Sequence, residues 1–283
     1  MKAAIIAIAK KENHYIKEWV DWHLCLGFDN IIICDDNEID DERISDVISD
    51  DRVIIKDYRG RKGSVQIYCY TTEWLENRSK YDWILFIDID EFVILEDKYN
   101  HDIHNFLNDS IFEGVDIIRL TWQVYGTNGK NDVEDDWSVM NRFTDKRELQ
   151  YNRYAKSFLN TKLNYIPATN IVGHGYFANK DLIAVDATGK PCENKYSSYS
   201  YNAETGVYQN AWINHYITKT IGEYVRQKVF RGGANSNPFR YVGFGTYNTK
   251  ELFKYFWTYN DYDEEQAKYG LELYKKIRKE QNV

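Results

Sequence analysis

Three carboxylates sit in the run YDWILFIDIDEFVIL, residues 81–95. Asp88, Asp90 and Glu91 follow directly on the apolar stretch Trp83 to Ile87. That stretch is rich in β-branched and aromatic residues and too short for a helix, so it reads as a strand buried on both faces. In open α/β sheets ligands collect beyond the carboxyl ends of the strands, which is where these acids fall. Residues two apart on a strand point to one side, so an extended backbone would turn Asp88 and Asp90 toward a common ligand. Neighbouring carboxylates repel and resist burial. A divalent cation that prefers hard oxygen ligands, magnesium or manganese, removes that repulsion. The competing reading is a solvated turn, and the apolarity of the preceding run favours the metal. Asp36, in the acidic stretch DDNEIDD, is either a turn cap or a ligand-facing acid at the end of another apolar run. His215 is either a hydrogen-bonded core imidazole or a metal ligand at a strand end, and His174, between Gly173 and Gly175, is the other imidazole to weigh.

These residues need elements to hold them. Ala3 to Ala9 reads as a buried strand, followed by a helix from about Tyr15 to Leu26 that stops at Gly27. Ile31 to Cys34 and Val53 to Lys56 are the next strands. Ser64 to Asn77 reads as a helix with Val65, Tyr68, Cys69, Thr72 and Leu75 on its inner side. Strands alternating with helices imply a mainly parallel sheet with right-handed crossovers. Residues 1–100 therefore look like a nucleotide-binding half. Beyond them come a short helix at Ile103 to Leu107, a strand at Val115 to Leu120, and TWQVYGTNGK, which reads as a functional loop rich in turn residues and aromatics. Leu163 to Ile166 and Leu182 to Val185 are short strand-like runs. Asn210 to Ile217 is a strand carrying His215, Thr218 caps the helix after it, and Asp263 to Lys279 is a terminal helix, acidic first and basic last, with a docking face of Leu271, Tyr274 and Ile277.

The chain has 283 residues, enough for one large α/β catalytic unit with an appended lobe. A formal net charge of -8 excludes a nonspecific nucleic-acid binder, whose affinity would rest on a basic surface. The cysteines at 25, 34, 69 and 192 have neither metal-ligand spacing nor the density of a disulfide scaffold, which fits reduced thiols in a cytosolic protein. The N-terminal apolar run is short and meets Lys10, Lys11 and Glu12 at once, so it reads as a strand and not as a signal sequence. No stretch approaches the length of a bilayer span, and membrane association would be peripheral. Aromatics make up 16% of residues; most will pack the core, but such rings also stack on the apolar faces of sugars.

Several blocks now stand in order: KKENHYIKEWVDWHLCLGFDNIIICDDNEIDD, YDWILFIDIDEF, WQVYGTNG, NRF, KSF and NHYITKTIGEYVRQKVFRG. Together they resemble the family 2 and family 92 type glycosyltransferases over residues 4 to about 233. The resemblance implies a GT-A fold: α/β, Rossmann-like, a mainly parallel central sheet with helices on both faces, plus C-terminal helices. It implies a domain at 1–233, with an acceptor half at 101–233, and a helical extension at 234–283. It also implies a metal-dependent nucleotide-sugar site that inverts the anomeric carbon. Asp88 would sit near the ribose and the metal, Asp90 would bind the metal directly, and His215 would be the later metal-site histidine. Asp36 would recognise the uracil edge, with Lys10 and Glu12 beside the nucleotide and Lys156 near the donor phosphates. Lys11 stands where relatives usually carry Asn.

The chemistry suits these residue types. A diphosphate must leave, so positive charge belongs where negative charge develops: a cation held by Asp88, Asp90 and His215, aided by Lys156, Lys219 or Arg231. Inversion in one displacement needs a general base near the acceptor hydroxyl, with Asp132, Glu134, Asp135, Asp136, Asp186 and Glu193 as candidates and Asp135, Asp136 and Glu193 taken first. Trp122 and Tyr125 are either core residues or a wall for donor or acceptor sugar. The expectation is a cytoplasmic glycosyltransferase using a UDP-sugar with Mn2+ or Mg2+ to extend a glycan or polysaccharide precursor, with UDP-galactose the first donor by the resemblance to family 92 alone. The alternatives are a haloacid-dehalogenase-like phosphatase with Asp88 as nucleophile and Asp90 as acid, against which Phe92 stands where that motif wants Thr or Val, and a noncatalytic carbohydrate-binding protein.

Overall fold

The computed structural model describes residues 1–133, 136–148, 154–163, 182–192, 207–232 and 248–280. Its first strands follow from sequence composition. The runs AAIIAIA, NIIICD and WILF are β-branched and apolar enough to be covered on both sides, and they form β1 (Ala3–Ala9), β2 (Asn30–Asp35) and β4 (Trp83–Phe86), with β3 (Val53–Asp57) beside β2. All four are parallel: β1 pairs β2 and β4, and β2 pairs β3. The crossovers are α1 (Ile16–Cys25) and α2 (Val65–Asn77). Gly27 stops α1 with φ +88, a conformation that strongly favours glycine.

The strands that extend this sheet run differently. β5 (Glu91–Leu95), β6 (Ile117–Tyr125), β8 (Ala155–Asn160), β9 (Ala184–Asp186) and β10 (Ala211–His215) join in the order β3-β2-β1-β4-β8-β6-β10-β5, with β9 beside β6. β8 is antiparallel to both β4 and β6, β10 is antiparallel to β5, and β9 is parallel to β6. The expected α/β architecture is present, with its four contiguous parallel strands drawn from the first hundred residues and one further parallel pair, β6 with β9, beyond them.

Four sequence expectations change. The backbone turns after Ile87 and resumes as β5 at Glu91, so Asp88 and Asp90 lie in a turn and not along one strand. TWQVY continues β6 and is buried throughout, because alternate covering on both faces accommodates its large rings; only the GTNGK part is a loop. α2 is rotated from its predicted face: Tyr68 and Leu75 are 50% and 58% exposed, while Tyr70, Glu73, Trp74 and Asn77 face inward. Hydrogen bonds compensate the buried polar groups on that face, since Glu73 accepts from Tyr58 Oη at 2.8 Å and from Asn77 Nδ2 at 3.1 Å. Leu182 to Val185 gives β9 starting two residues later and ending one later, and most of Leu163 to Ile166 lies outside the described residues.

The chain divides into two compact units, residues 1–123 with 150–215, and residues 124–149 with 216–283. This boundary differs from the expected split at 233. The second unit contains β7 (Lys146–Arg147) on the end of β6, α4 (Val139–Arg142), α5 (Ile221–Tyr224) with a π-helical continuation at 225–231, α6 (Thr249–Leu252), α7 (Lys254–Tyr259) and α8 (Glu264–Glu280); α3 (Ile103–Leu107) belongs to the first. Its core gathers Ile221, Tyr224, Val225, Val229, Leu252, Phe253 and Phe256, with Leu271, Tyr274 and Ile277 packed against it as expected for α8. The cap of α5 is Thr220 and not Thr218: the Thr220 hydroxyl and the Glu223 carboxylate close a reciprocal capping box. Glu223 also takes a buried bidentate pair from Arg142 of the NRF block at 2.8 and 2.9 Å, and Gly222 is required because a Cβ there would lie 2.6 Å from Asp132 Cγ. Among the described residues no helix is long and apolar enough to cross a membrane.

Candidate active site

The loops that leave β1 and β2 are tied by side chains. Asp35 Oδ1 accepts from Asn37 N–H and Nδ2 at 3.1 and 2.8 Å, its Oδ2 accepts from Ile44 N–H at 3.1 Å, and Asn37 Oδ1 accepts from Lys11 N–H at 2.7 Å. Lys11, where Asn was expected, adopts φ +53. With Asp35 and Asn37 holding the loop, Asp36 is left at the strand end, 5% exposed. Burial pushes its carboxyl up to about 6; Lys10 and Lys62 pull against that, while Glu38 and Asp35 add to it. Lys10 and Lys62 reach opposite oxygens of Glu38 at 3.1 and 3.0 Å. Glu12 is buried beside β1, and its carbonyl starts α1 by accepting from Tyr15 and Ile16 N–H.

The second cluster forms where β4 ends. Asp88 Oδ2 meets Lys156 Nζ at 2.9 Å, and Asp88 Oδ1 accepts from Gln66 Nε2 at 3.4 Å, so the first turn of α2 and the KSF block on β8 both reach the acid. Glu91 closes the turn: its Oε2 accepts the Asp88 N–H at 2.9 Å and lies 3.5 Å from Lys156 Nζ. Register brings in the imidazole, because β10 sets His215 opposite Glu91. His215 Nε2 is 3.5 Å from Asp90 Oδ1, its Nδ1 is 4.0 Å from Glu91 Oε1, and the Trp122 ring packs on it with centroids 4.1 Å apart. Burial and the Asp88 and Asp90 charges drive the Glu91 carboxyl well above its ordinary range against the pull of Lys156. Burial alone would lower the Lys156 ammonium, but Asp88 and Glu91 outweigh it and hold the lysine charged.

α1 fixes this cluster from behind. Trp19 Nε1 donates to the Glu91 carbonyl at 2.7 Å and Trp22 Nε1 to the Val93 carbonyl at 2.8 Å. His23 accepts the Val93 N–H on Nε2 at 3.2 Å and contacts the Trp19 carbonyl through Nδ1 at 2.7 Å. Burial lowers His23 to about 3, so it is neutral, with its proton on Nδ1. Sequence reasoning named Glu91 among the acids at the strand end without giving it a role, and gave Trp19, Trp22, His23 and Gln66 no part in the site. The tryptophan indole donors were the available signal, since buried Trp N–H groups find acceptors.

The remaining predicted residues fall elsewhere. Asp136 is exposed and accepts the Ser138 N–H at 2.7 Å, ahead of α4. Asp186 accepts from Thr188 N–H and hydroxyl and from Lys190 N–H, a turn-forming role. Asp132 pairs with Arg226 at 2.7 Å inside the second unit. Lys219 is buried in that unit with φ +54, and Tyr125 stacks there on Tyr216. Arg231 ends the π-helical segment, partly buried, with its Nε donating to the Gly232 carbonyl. Glu134, Asp135, His174 and Glu193 lie outside the described residues.

Among the described residues no group of three His, Cys, Asp or Glu side chains is arranged to hold an ion. Two ligands of one divalent ion, each at about 2.1 Å, stand roughly 3 to 3.5 Å apart, and Asp90 Oδ1 and His215 Nε2 are 3.5 Å apart. The pair thus has the spacing of two ligands on one divalent cation, though with one imidazole nitrogen it is not the all-oxygen set that magnesium prefers. Asp88, by contrast, is held by the Lys156 ammonium.

Residues 69–229, more than half of the chain, match the family model of glycosyltransferase family 92. The chain belongs to that family. The matched segment runs from within α2 through the acidic turn, β6, β8 and β10 to the π-helical segment, and so contains Asp88, Asp90, Glu91, Trp122, Lys156 and His215, with Gln66 just before it. No curated protein matches the chain. Among solved structures, the mannosyltransferase PcManGT from Pyrobaculum calidifontis in complex with GDP-Man and Mn2+ is similar at 11% identity and a TM-score of 0.35, over 59% of this chain and 48% of that one. Rv0371c from Mycobacterium tuberculosis H37Rv is similar at 9% identity and a TM-score of 0.28, over 43% of this chain and 66% of that one. The chain thus spans about half the length of the mannosyltransferase. Family 92 membership leaves the phosphatase alternative without support.

Proposed function

We propose that this chain is an inverting glycosyltransferase that moves a sugar from a UDP-sugar, UDP-galactose being the first to test, to a hydroxyl of a glycan or polysaccharide precursor. The observation that carries this reading is the convergence of Asp88, Asp90, His215 and the buried Lys156 at the end of β4, in a family 92 chain whose β2 is followed at once by the buried Asp36. Asp90 and His215 would hold Mn2+ or Mg2+, with Asp88 beside them. When bound, such an ion supplies Lewis-acid stabilisation of the departing diphosphate.

The chain's own groups account for the rest. Lys156 keeps a positive charge in a dry site, where it is worth most against developing negative charge. Asp36, ionised, accepts the N–H of a uracil edge, and Lys10 and Glu12 flank the nucleotide. Asp135, Asp136 and Glu193 remain the candidates for taking the proton from the acceptor hydroxyl as the new C–O bond forms and the nucleoside diphosphate leaves from the opposite face. The protein works in the cytoplasm, in peripheral contact with the membrane that carries the precursor.

The test is a panel of UDP- and GDP-sugars with Mn2+, scored for donor hydrolysis and for transfer to glycan acceptors, with the product anomer assigned by NMR. Turnover of a UDP-sugar with inversion is expected. Turnover of GDP-sugars alone would refute the uridine assignment, and a retained anomer would refute single displacement.

A further inference from the structure

We propose that Glu91 is a positioning residue, a brace that sets His215 and Lys156 against Asp90 and Asp88; the inference rests on reading this cluster as the donor and metal site. The first support is register. Antiparallel pairing of β5 with β10 puts Glu91 directly opposite His215, so the two side chains leave the sheet on one face.

The second support is how the carboxyl is used. It is fully buried, and each oxygen faces a different part of the site. Oε2 takes the Asp88 N–H at 2.9 Å and stands 3.5 Å from Lys156 Nζ, while Oε1 stands 4.0 Å from His215 Nδ1. On the other side of these bases the same two residues meet the aspartates, Lys156 Nζ at 2.9 Å from Asp88 and His215 Nε2 at 3.5 Å from Asp90. One carboxyl thus backs both bases that face the paired acids. The 4.0 Å gap is longer than a hydrogen bond, and a small rotation of ring or carboxyl closes it.

The third support is rigidity. The Trp19 indole pins the Glu91 carbonyl at 2.7 Å, His23 pins the strand two residues on, and Trp122 packs on the imidazole. Burying a carboxyl is costly, and Phe92, Val93 and Leu95 show that this strand packs readily without one. Outer carboxylates that orient a ligating histidine typically change metal affinity 10- to 100-fold when removed.

The experiment compares the full chain with Glu91→Gln and with Glu73→Gln, a control at another buried carboxylate of the same unit whose partners are Tyr58, Asn77 and Lys56. Three readouts are taken: thermal melting, the His215 ring 15N and 1H resonances without metal, and Mn2+ affinity by EPR. E91Q is expected to shift the His215 ring resonances and to weaken Mn2+ about tenfold or more, whereas E73Q lowers the melting temperature and does neither. Should E91Q melt early, Glu91→Asp, which shortens the arm and keeps the carboxyl group, is read in the same way. Wild-type ring resonances and Mn2+ affinity within twofold of wild type in E91Q would overturn the proposal. A wild type that binds neither Mn2+ nor UDP sinks the donor-site reading instead, and the metal-free ring shift then still decides for or against the brace.

Discussion

Asp36 should make the fold weaker and the nucleotide site stronger at once. Its carboxyl is 5% exposed and is pushed from an ordinary 3.8 to about 6, with burial as the main cause. For an acid with a raised folded-state value, the native state binds more protons than the unfolded chain between those two pH values, so stability falls as pH rises through that window. At about 1.4 kcal/mol per pKa unit, ionised Asp36 costs the fold about 3 kcal/mol above pH 6 and nothing below about pH 3.8. Asp36→Asn removes the charge and keeps the shape. Its urea midpoint should therefore exceed that of the wild type at pH 8 by an amount equivalent to about 3 kcal/mol, corresponding to roughly 5 °C in melting temperature, and the advantage should vanish near pH 4. UDP affinity should fall about tenfold in the same variant, because a charged acceptor is replaced by a neutral one. An equal stability of D36N and wild type at pH 8, or a difference that does not change with pH, would refute the reasoning.

Other perturbations have directions that follow as directly. His23 is lowered from 6.5 to about 3 by burial, so the native state binds fewer protons than the unfolded chain between those values and stability is lost as pH falls through that window, up to about 5 kcal/mol in total; His23→Gln should flatten the acid limb of a pH-stability curve between 6.5 and 3, and an unchanged limb would contradict the assignment. Arg142→Ala leaves Glu223 buried without its bidentate partner and should cost about 3 to 5 kcal/mol, measured by denaturant unfolding, with Glu223→Gln in the R142A background recovering part of it. A cost below 1 kcal/mol would show the pair to be dispensable.

The parallel half of the sheet was legible because its strands are covered on both faces and therefore read as unbroken apolar runs ending in polar residues, as at Ala3–Ala9 and Trp83–Phe86. The acids Asp36, Asp88 and Asp90 could be placed for the same reason. What the pattern could not convey was direction after the strand: the turn at residues 88–90 carries the same residue types as a continued strand would, and it is the pairing of β5 with β10, residues far apart in sequence, that sets His215 opposite Glu91. The face of α2 was misread because Glu73 and Asn77 look like solvent residues until Tyr58 is known to reach Glu73 and Asn77 to bond the same carboxylate. TWQVY looked like a loop because aromatics and Thr serve strands and sugar sites alike. The general base was never legible, since a carboxylate's partner in catalysis leaves no period in the chain, and of the described candidates Asp132, Asp136 and Asp186 each hold local structure.

The central claim is that the end of β4 holds a nucleotide donor through Asp90 and a divalent cation. Calorimetry of UDP binding, with and without Mn2+, in the wild type and in Asp90→Ala tests it most directly. Binding that requires Mn2+ and is lost in D90A is the predicted result. Binding that is indifferent to Mn2+, or that survives intact in D90A, would contradict it.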